Sequence, residues 1–137
     1  MTKLLLPKVA DKSLVGRDLL VDEINDQIEQ GGISADEVAG IVNQLVPLLR
    51  SESDPAVMES IFNLFGSAFD RIGVQEDALQ VIISLLDSLS SGCLVHAIPI
   101  IGHSTTRRKK ELIAPFLTSS NIAVRTIAEK SLQSQGD

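Results

Sequence analysis

Acidic side chains recur at helical spacing near the start of the chain. The set comprises Asp18, Asp22, Glu23, Asp26 and Glu29. Residues three and four apart share one face of an α-helix, where like charges destabilise the helix by about 0.2–0.5 kcal/mol per pair. No lysine or arginine within this segment follows Arg17 to offset them. The pattern therefore predicts a face that pairs with the basic side chains of a partner, and the alternative is a solvated face that maintains solubility.

Three further acids, in a later helical segment, could extend this face. Asp54 and Glu59 lie where they would join it, and Asp70 would lie at its far end. We predict that Asp54 and Glu59, together with the five acids of the first segment, bind lysine and arginine side chains of a partner protein.

A basic run, Arg107-Arg108-Lys109-Lys110, is the second candidate site. Such a run can bind phosphate, nucleic acid or an acidic protein surface, or it can pair with neighbouring acids such as Glu111. Stacking on bases needs aromatic faces, and the chain has no Trp, no Tyr and only four Phe. We therefore expect a secondary protein-binding patch here and no nucleic-acid partner.

A third candidate combines the lone cysteine with both histidines. Cys93, His96 and His103 are three and seven residues apart, a spacing that could serve a metal ion or a Cys–His nucleophile pair. Pro99 interrupts the helix between the histidines, however, and no orienting carboxylate lies nearby in sequence. No phosphate-binding glycine loop, metalloprotease helix or nucleophile elbow occurs elsewhere. We expect no metal, no cofactor and no enzymatic activity.

The elements that must position these residues are helices. Apolar residues recur with helical period and predict segments at about 17–30, 34–50, 54–73, 75–89, 92–103, 105–118 and 120–134. Ser34 and Glu37 have the spacing of a capping box, and Asp54-Pro55 is a typical helix start. Pro99 should kink or shorten the fifth segment. No segment alternates between apolar and polar residues for long enough to predict a strand, so we expect an all-α fold.

Three stretches of the chain share one pattern. Each is a helix ending in two apolar residues, a short polar turn, and a helix that opens with Val; they begin at Leu45, Ile82 and Leu112. The third has Asn121, then Val124-Arg125, then small and apolar residues. These stretches resemble HEAT repeats, whose second helix begins near Asp or Asn and continues with Val-Arg. Met58 and His96 stand where that family usually has Arg.

The resemblance to HEAT and armadillo repeats implies a right-handed stack of about three antiparallel helix pairs, an α-solenoid, with an extra N-terminal helix. It implies one domain over residues 1–137, with repeat-like units at about 16–33, 34–73, 74–104 and 105–137. The first, third, fifth and seventh predicted helices would then line the concave side, and the acidic face would lie on it.

Charge is unevenly distributed along the chain. The net charge is −6, yet residues 18–87 carry 14 acidic residues against Arg50 and Arg71, a net charge of −12. No apolar stretch is long enough to span a bilayer, and we expect a soluble, cytoplasmic protein without membrane contact. This profile is similar to that of bacterial immunity or inhibitor proteins, and it predicts a protein-binding module that neutralises a basic partner such as a nuclease toxin. The alternative is a HEAT-like structural adaptor in a larger complex.

Overall fold

The described part of the chain is helical throughout. A computed structural model describes residues 2–133, with side chains from residue 5 onward, and no strand occurs among them. The α-helices are α1 (Thr2–Ala10), α2 (Arg17–Gln30), α3 (Ala35–Ser51), α4 (Pro55–Ile72), α5 (Glu76–Leu85), α6 (Ser91–His103), α7 (Lys109–Ile113) and α8 (Ile122–Gln133). Two 3₁₀ turns follow α5 and α7, at Leu86–Ser88 and Ala114–Thr118. The all-α prediction is confirmed, while the predicted helix end at residue 134 lies outside the described residues.

Helix ends follow the capping signals of the sequence. The Oγ of Ser34 accepts a hydrogen bond from the Glu37 amide at 3.2 Å, and the Glu37 carboxylate accepts one from the Ser34 amide at 3.4 Å. The Asp54 carboxylate accepts from the Ala56 amide at 2.9 Å, which caps α4. Gly73 ends α4 with φ +82°, a conformation that L side chains rarely adopt. These ends therefore lie within a residue or two of their predicted places.

Three segments differ from the sequence-based prediction. The helix predicted at 75–89 is α-helical only as far as Leu85 and is followed by the 3₁₀ turn at Leu86–Ser88. Residues 2–10, for which no helix was predicted, form α1, whose Leu5, Leu6 and Val9 are buried against α2 and α3. The predicted helix at 105–118 is instead the five-residue α7 and a 3₁₀ turn. Pro115 lies in that turn and has no amide to continue an α-helical ladder. By contrast, α6 continues through Pro99 to His103, so the expected interruption of the helix between His96 and His103 was wrong.

Packing divides the helices into two layers. Along the front layer α2 packs on α4, α4 on α6 and α6 on α8, while α1, α3 and α5 form a back layer and α7 packs on α6 and α8. Front helices run in the same direction, since Glu29 near the end of α2 bonds to Ser67 in the second half of α4. Gly102 near the end of α6 likewise lies against Ser131 near the end of α8. Helices of the front layer pack on one another more extensively than those of the back layer.

One hydrophobic core lies between the layers, from Leu5 in α1 to Ala128 in α8. Ile24, Ile61 and Ile98, spaced 37 residues apart, are fully buried in three successive front helices. The core is largely aliphatic, and α4 supplies its aromatic part, where the Phe65 and Phe69 ring centroids are 5.4 Å apart. The 37-residue register places side chains of α2, α4 and α6 at matching heights on the front of the molecule.

Candidate functional site

A groove of about 360 Å³ runs across the front layer, and we call it the acidic groove. Its lining residues are Asp18 and Asp22 of α2, Ala56, Glu59, Ser60 and Asn63 of α4, and His96 of α6. Three of the seven acids predicted from the sequence therefore come together here, from two different helices. None of the lining residues is a lysine or an arginine.

Local helix geometry explains how these carboxylates meet. Asp18 and Asp22 are one turn apart on the side of α2 that packs on α4. Glu59 extends toward the first turn of α6, where a Cβ atom built on Gly92 would lie 2.6 Å from its Oε2. The missing side chain of Gly92 thus leaves room for the Glu59 carboxylate. The partial positive charge of a helix N-terminus attracts negative charge, so this position suits a carboxylate.

Among the residues whose side chains are described, the three groove carboxylates have no cationic partner. No ion pair joins Asp18, Asp22 or Glu59 to a basic residue within the described chain. Asp18 lies in the first turn of α2, where the helix dipole offsets part of the repulsion expected from the sequence. The groove therefore presents concentrated negative charge with open acceptor positions.

Glu29 lies beyond the acidic groove, toward the end of α2. Its Oε1 accepts hydrogen bonds from Asn25 Nδ2 at 3.0 Å and from Ser67 Oγ at 3.1 Å. It lines a neighbouring groove that also contains Asp70 and Arg71. Glu29 therefore extends the acidic front layer without sharing the groove of Asp18 and Asp22.

The remaining three predicted acids lie elsewhere. Glu23 and Asp26 are exposed on α2 and do not line the acidic groove. The carboxylate of Asp54 is occupied in capping α4 through the amides of Ala56 and Val57. Asp54 is therefore a helix-capping residue, and Glu23 and Asp26 lie on the exposed face of α2 outside the groove.

A second groove of about 260 Å³ adjoins the first at His96, and we call it the apolar groove. Its lining residues are Gly66, Phe69, Asp70, Val74, Val95, His96, Pro99, Ile100 and His103. His96 lines both grooves, so they share a wall. Burial lowers the pKa of His96, although the nearby Glu59 charge acts in the opposite direction. Burial therefore favours the neutral form of the imidazole at the junction.

Cys93 and the histidines do not form a common site. Cys93 is only 2% exposed and lines a separate groove with Leu49, Met58 and Leu89, whereas His96 and His103 line the apolar groove. Burial raises the pKa of the Cys93 thiol, which disfavours the nucleophilic thiolate. Among the described residues, no group of three or more His, Cys, Asp or Glu side chains is placed to hold a metal ion.

The basic run lies at the start of α7, and none of its four residues lines either groove. Arg108 is paired with Glu111 at 3.3 Å, and both side chains are more than half exposed. Exposed pairs of this kind contribute little to stability. Arg107 and Lys110 are exposed as well.

A buried ion pair near the acidic groove was not predicted from the sequence. Arg17 is 4% exposed, and its guanidinium donates to both Glu52 carboxylate oxygens, at 2.5 and 3.1 Å. Its Nε also donates to the Val9 carbonyl at 2.7 Å. The hydrogen bond with Glu52 raises the pKa of Arg17 further above its already high value. Arg17 begins α2 and Glu52 follows α3, so no spacing rule within one helix could pair them.

Within the described part of the chain, no helix combines the length and the apolar character that crossing a bilayer requires. The chain matches no protein-family model, and comparisons with curated proteins and with solved structures gave no match either.

Proposed function

We propose that this protein is a protein-binding module whose acidic groove docks a basic surface of a partner. In its most concrete form, it is an immunity or inhibitor protein that neutralises a basic toxin such as a nuclease. The observation that carries this proposal is the convergence of Asp18, Asp22 and Glu59 on one groove without a cation from the described chain.

Unpaired carboxylates on neighbouring helices are suited to this task. Each can accept charge-assisted hydrogen bonds from lysine or arginine, and arginine can bind a carboxylate through two parallel bonds. A concentrated negative surface also accelerates association with a basic partner. A nuclease binds phosphate groups with lysine and arginine, so its site offers the complementary charge.

As part of this proposal, we infer a HEAT-like solenoid arrangement for the two layers. The alternation of front and back helices supports it, as does the closer packing within the front layer. In a stack of helix pairs, closer packing on one side curves the stack toward that side. The acidic groove would then lie on the concave surface, where a partner is contacted by successive repeats.

A structural adaptor is the second candidate, because additional surface is available away from the grooves. The basic run at 107–110 is mostly exposed, and Val15 and Leu19 are 99% and 67% exposed near the start of α2. An adaptor would use two such surfaces to bridge two proteins. An inhibitor needs the acidic groove alone.

Charge reversal tests the proposed function. We expect Asp18→Lys/Asp22→Lys to lose the partner that the wild-type protein captures from its source cells at low salt. The matched control is Asp77→Lys/Asp87→Lys, which changes the net charge equally at exposed positions on and after α5. Captured proteins are identified by mass spectrometry, and circular dichroism verifies that each variant is folded.

The experiment has three outcomes, which indicate an inhibitor, indicate an adaptor, or refute the acidic-groove proposal. An inhibitor is expected to abolish the activity of the captured basic protein, and high salt should weaken the capture. An adaptor is expected to capture two proteins, one of which is lost when residues 107–110 are changed to alanine. Equal capture by the groove variant and the wild type would refute the acidic-groove proposal.

A further inference from the structure

We infer that the partner docks through one segment that carries a lysine or arginine and a large apolar side chain about 13 Å apart. The basic group would occupy the acidic groove, and the apolar side chain would occupy the apolar groove. This inference rests on the proposed function and specifies the chemistry of the partner. Its basis is that the two grooves adjoin each other and share His96 as a lining residue.

The apolar groove has the character of a receptor for an aliphatic or aromatic side chain. Phe69, Val95 and Ile100 provide apolar walls, and Pro99 adds another. Gly66 contributes no side chain, and a Cβ atom built there would meet no other atom within 4 Å. Concave apolar surface that remains open to solvent is a common feature of binding sites.

Charge complementarity identifies the occupant as basic. The two grooves together are lined by Asp18, Asp22, Glu59 and Asp70, and by no lysine or arginine. Burial lowers the pKa of His96, at the junction, and so disfavours a positive charge there. A segment with a positively charged side chain at one end and an apolar side chain farther along is complementary to both grooves.

The spacing follows from α4, which lines both grooves. Its acidic-groove residues centre on Glu59 and Ser60, and its apolar-groove residues lie between Gly66 and Asp70, about nine residues later. At 1.5 Å per residue, the centres are about 13 Å apart. An extended partner segment covers this distance in about four residues, and a helical segment does so in about nine residues.

Peptide selection tests this inference directly. A displayed library of random 16-residue peptides is selected against the full-length protein at low salt. We expect the enriched peptides to carry Lys or Arg together with Leu, Met, Ile or Phe at one of these two spacings. Absence of enrichment, or enrichment without the paired residues, would overturn the inference.

Filling the apolar groove provides the protein-side test. Gly66→Leu should weaken the binding of the selected peptides by at least about tenfold, because the leucine side chain occupies the space of their apolar side chain. The matched control is Gly40→Leu on α3 in the back layer, where a Cβ atom also meets nothing within 4 Å. The control should bind the peptides as the wild type does.

A peptide-side measurement keeps the test decisive if Gly66→Leu folds poorly. Replacement of the apolar peptide residue by alanine should weaken binding to the wild type by a similar factor. Unchanged affinity after this replacement refutes the two-groove segment. If the charge-reversal variant still loses its partner, the proposed function stands without this inference; if it does not, both are refuted.

Discussion

At the scale of single residues, the Arg17–Glu52 pair links parts of the chain that are distant in sequence. Arg17 begins α2, Glu52 follows α3, and the Val9 carbonyl belongs to α1. Both charged side chains are almost completely buried, with 4% and 1% of their surface exposed. A buried pair stabilises a fold only when each charge keeps its partner, so this link makes the junction of α1, α2 and α3 sensitive to substitution.

Removal of one partner should be costly. We expect Glu52→Ala to lower the free energy of unfolding by about 3–5 kcal/mol, because it leaves the Arg17 charge buried and unpaired. The double variant Arg17→Met/Glu52→Leu should recover much of this loss, since apolar side chains can replace a buried pair. Urea denaturation of the wild type and both variants measures the difference. Equal instability of the two variants would show that the bond from Arg17 to Val9 is the essential one.

The same pair predicts a response to acid. Burial raises the pKa of Glu52, but hydrogen bonds from Arg17 and from the Asp54 amide act more strongly together and bring it below its ordinary value of 4.5. A carboxylate with a lowered pKa stabilises the fold above its ordinary pKa, and this contribution is lost as the pH falls through the lowered value. We expect the melting temperature of the wild type to decrease as the pH is lowered below about 4.5.

The control for the acid response is the same double variant, Arg17→Met/Glu52→Leu. It lacks the titrating carboxylate, so its melting temperature should decline less steeply over this range. Calorimetry from pH 7 to pH 2.5 makes the comparison. Parallel curves for the two proteins would assign the acid response to other carboxylates.

At the scale of helices, α4 has two glycines with opposite roles, one within the helix and one directly after its last residue. Gly66 has ordinary helical geometry, and Gly73 ends the helix with φ +82°. Gly66→Ala should raise the free energy of unfolding by about 0.5–1 kcal/mol, because alanine has the higher helix propensity. Gly73→Ala should lower it by about 1–3 kcal/mol through backbone strain. Chemical denaturation of both variants compares them, and stabilisation by Gly73→Ala would contradict the assigned geometry.

Helix positions were predictable where the sequence carries its own start and stop signals. Ser34 with Glu37, Asp54 with Pro55, and Gly73 each mark an end that the structure shows within a residue or two. By contrast, α1 has nine residues and is too short to be stable alone. It forms because its apolar side chains are buried by α2 and α3, a contact that no local signal announces.

At the scale of the whole molecule, stability should be highest in the middle of the front layer. Helix α4 packs between α2 and α6, whereas α7 has five residues and the 3₁₀ turn after it has no buried residue. Local unfolding occurs where few apolar contacts oppose it. We expect amide hydrogen exchange to be slowest in α4 and fastest at 109–118, as measured by mass spectrometry. Exchange at 109–118 as slow as that of α4 would contradict this distribution.

The candidate site could be predicted from sequence only in part. Helical spacing was enough to place Asp18 and Asp22 on one face. Their meeting with Glu59 depends on the packing of α2 on α4, for which the 37-residue spacing of Asp22, Glu59 and His96 was the available signal. The apolar groove was not predicted, because its walls, such as Phe69 and Pro99, come from different helices and meet only through the packing of α6 on α4.

The burial of Cys93 has a practical consequence for studies of this molecule in solution. Its thiol is 2% exposed, and its pKa is raised by burial, with the Glu59 charge acting in the same direction. Thiol-specific dyes and spin labels react with accessible thiolates. A cysteine introduced at the exposed Val15 would therefore take up such a label while Cys93 stays unmodified. One substitution is enough to place a reporter beside α2, close to the acidic groove.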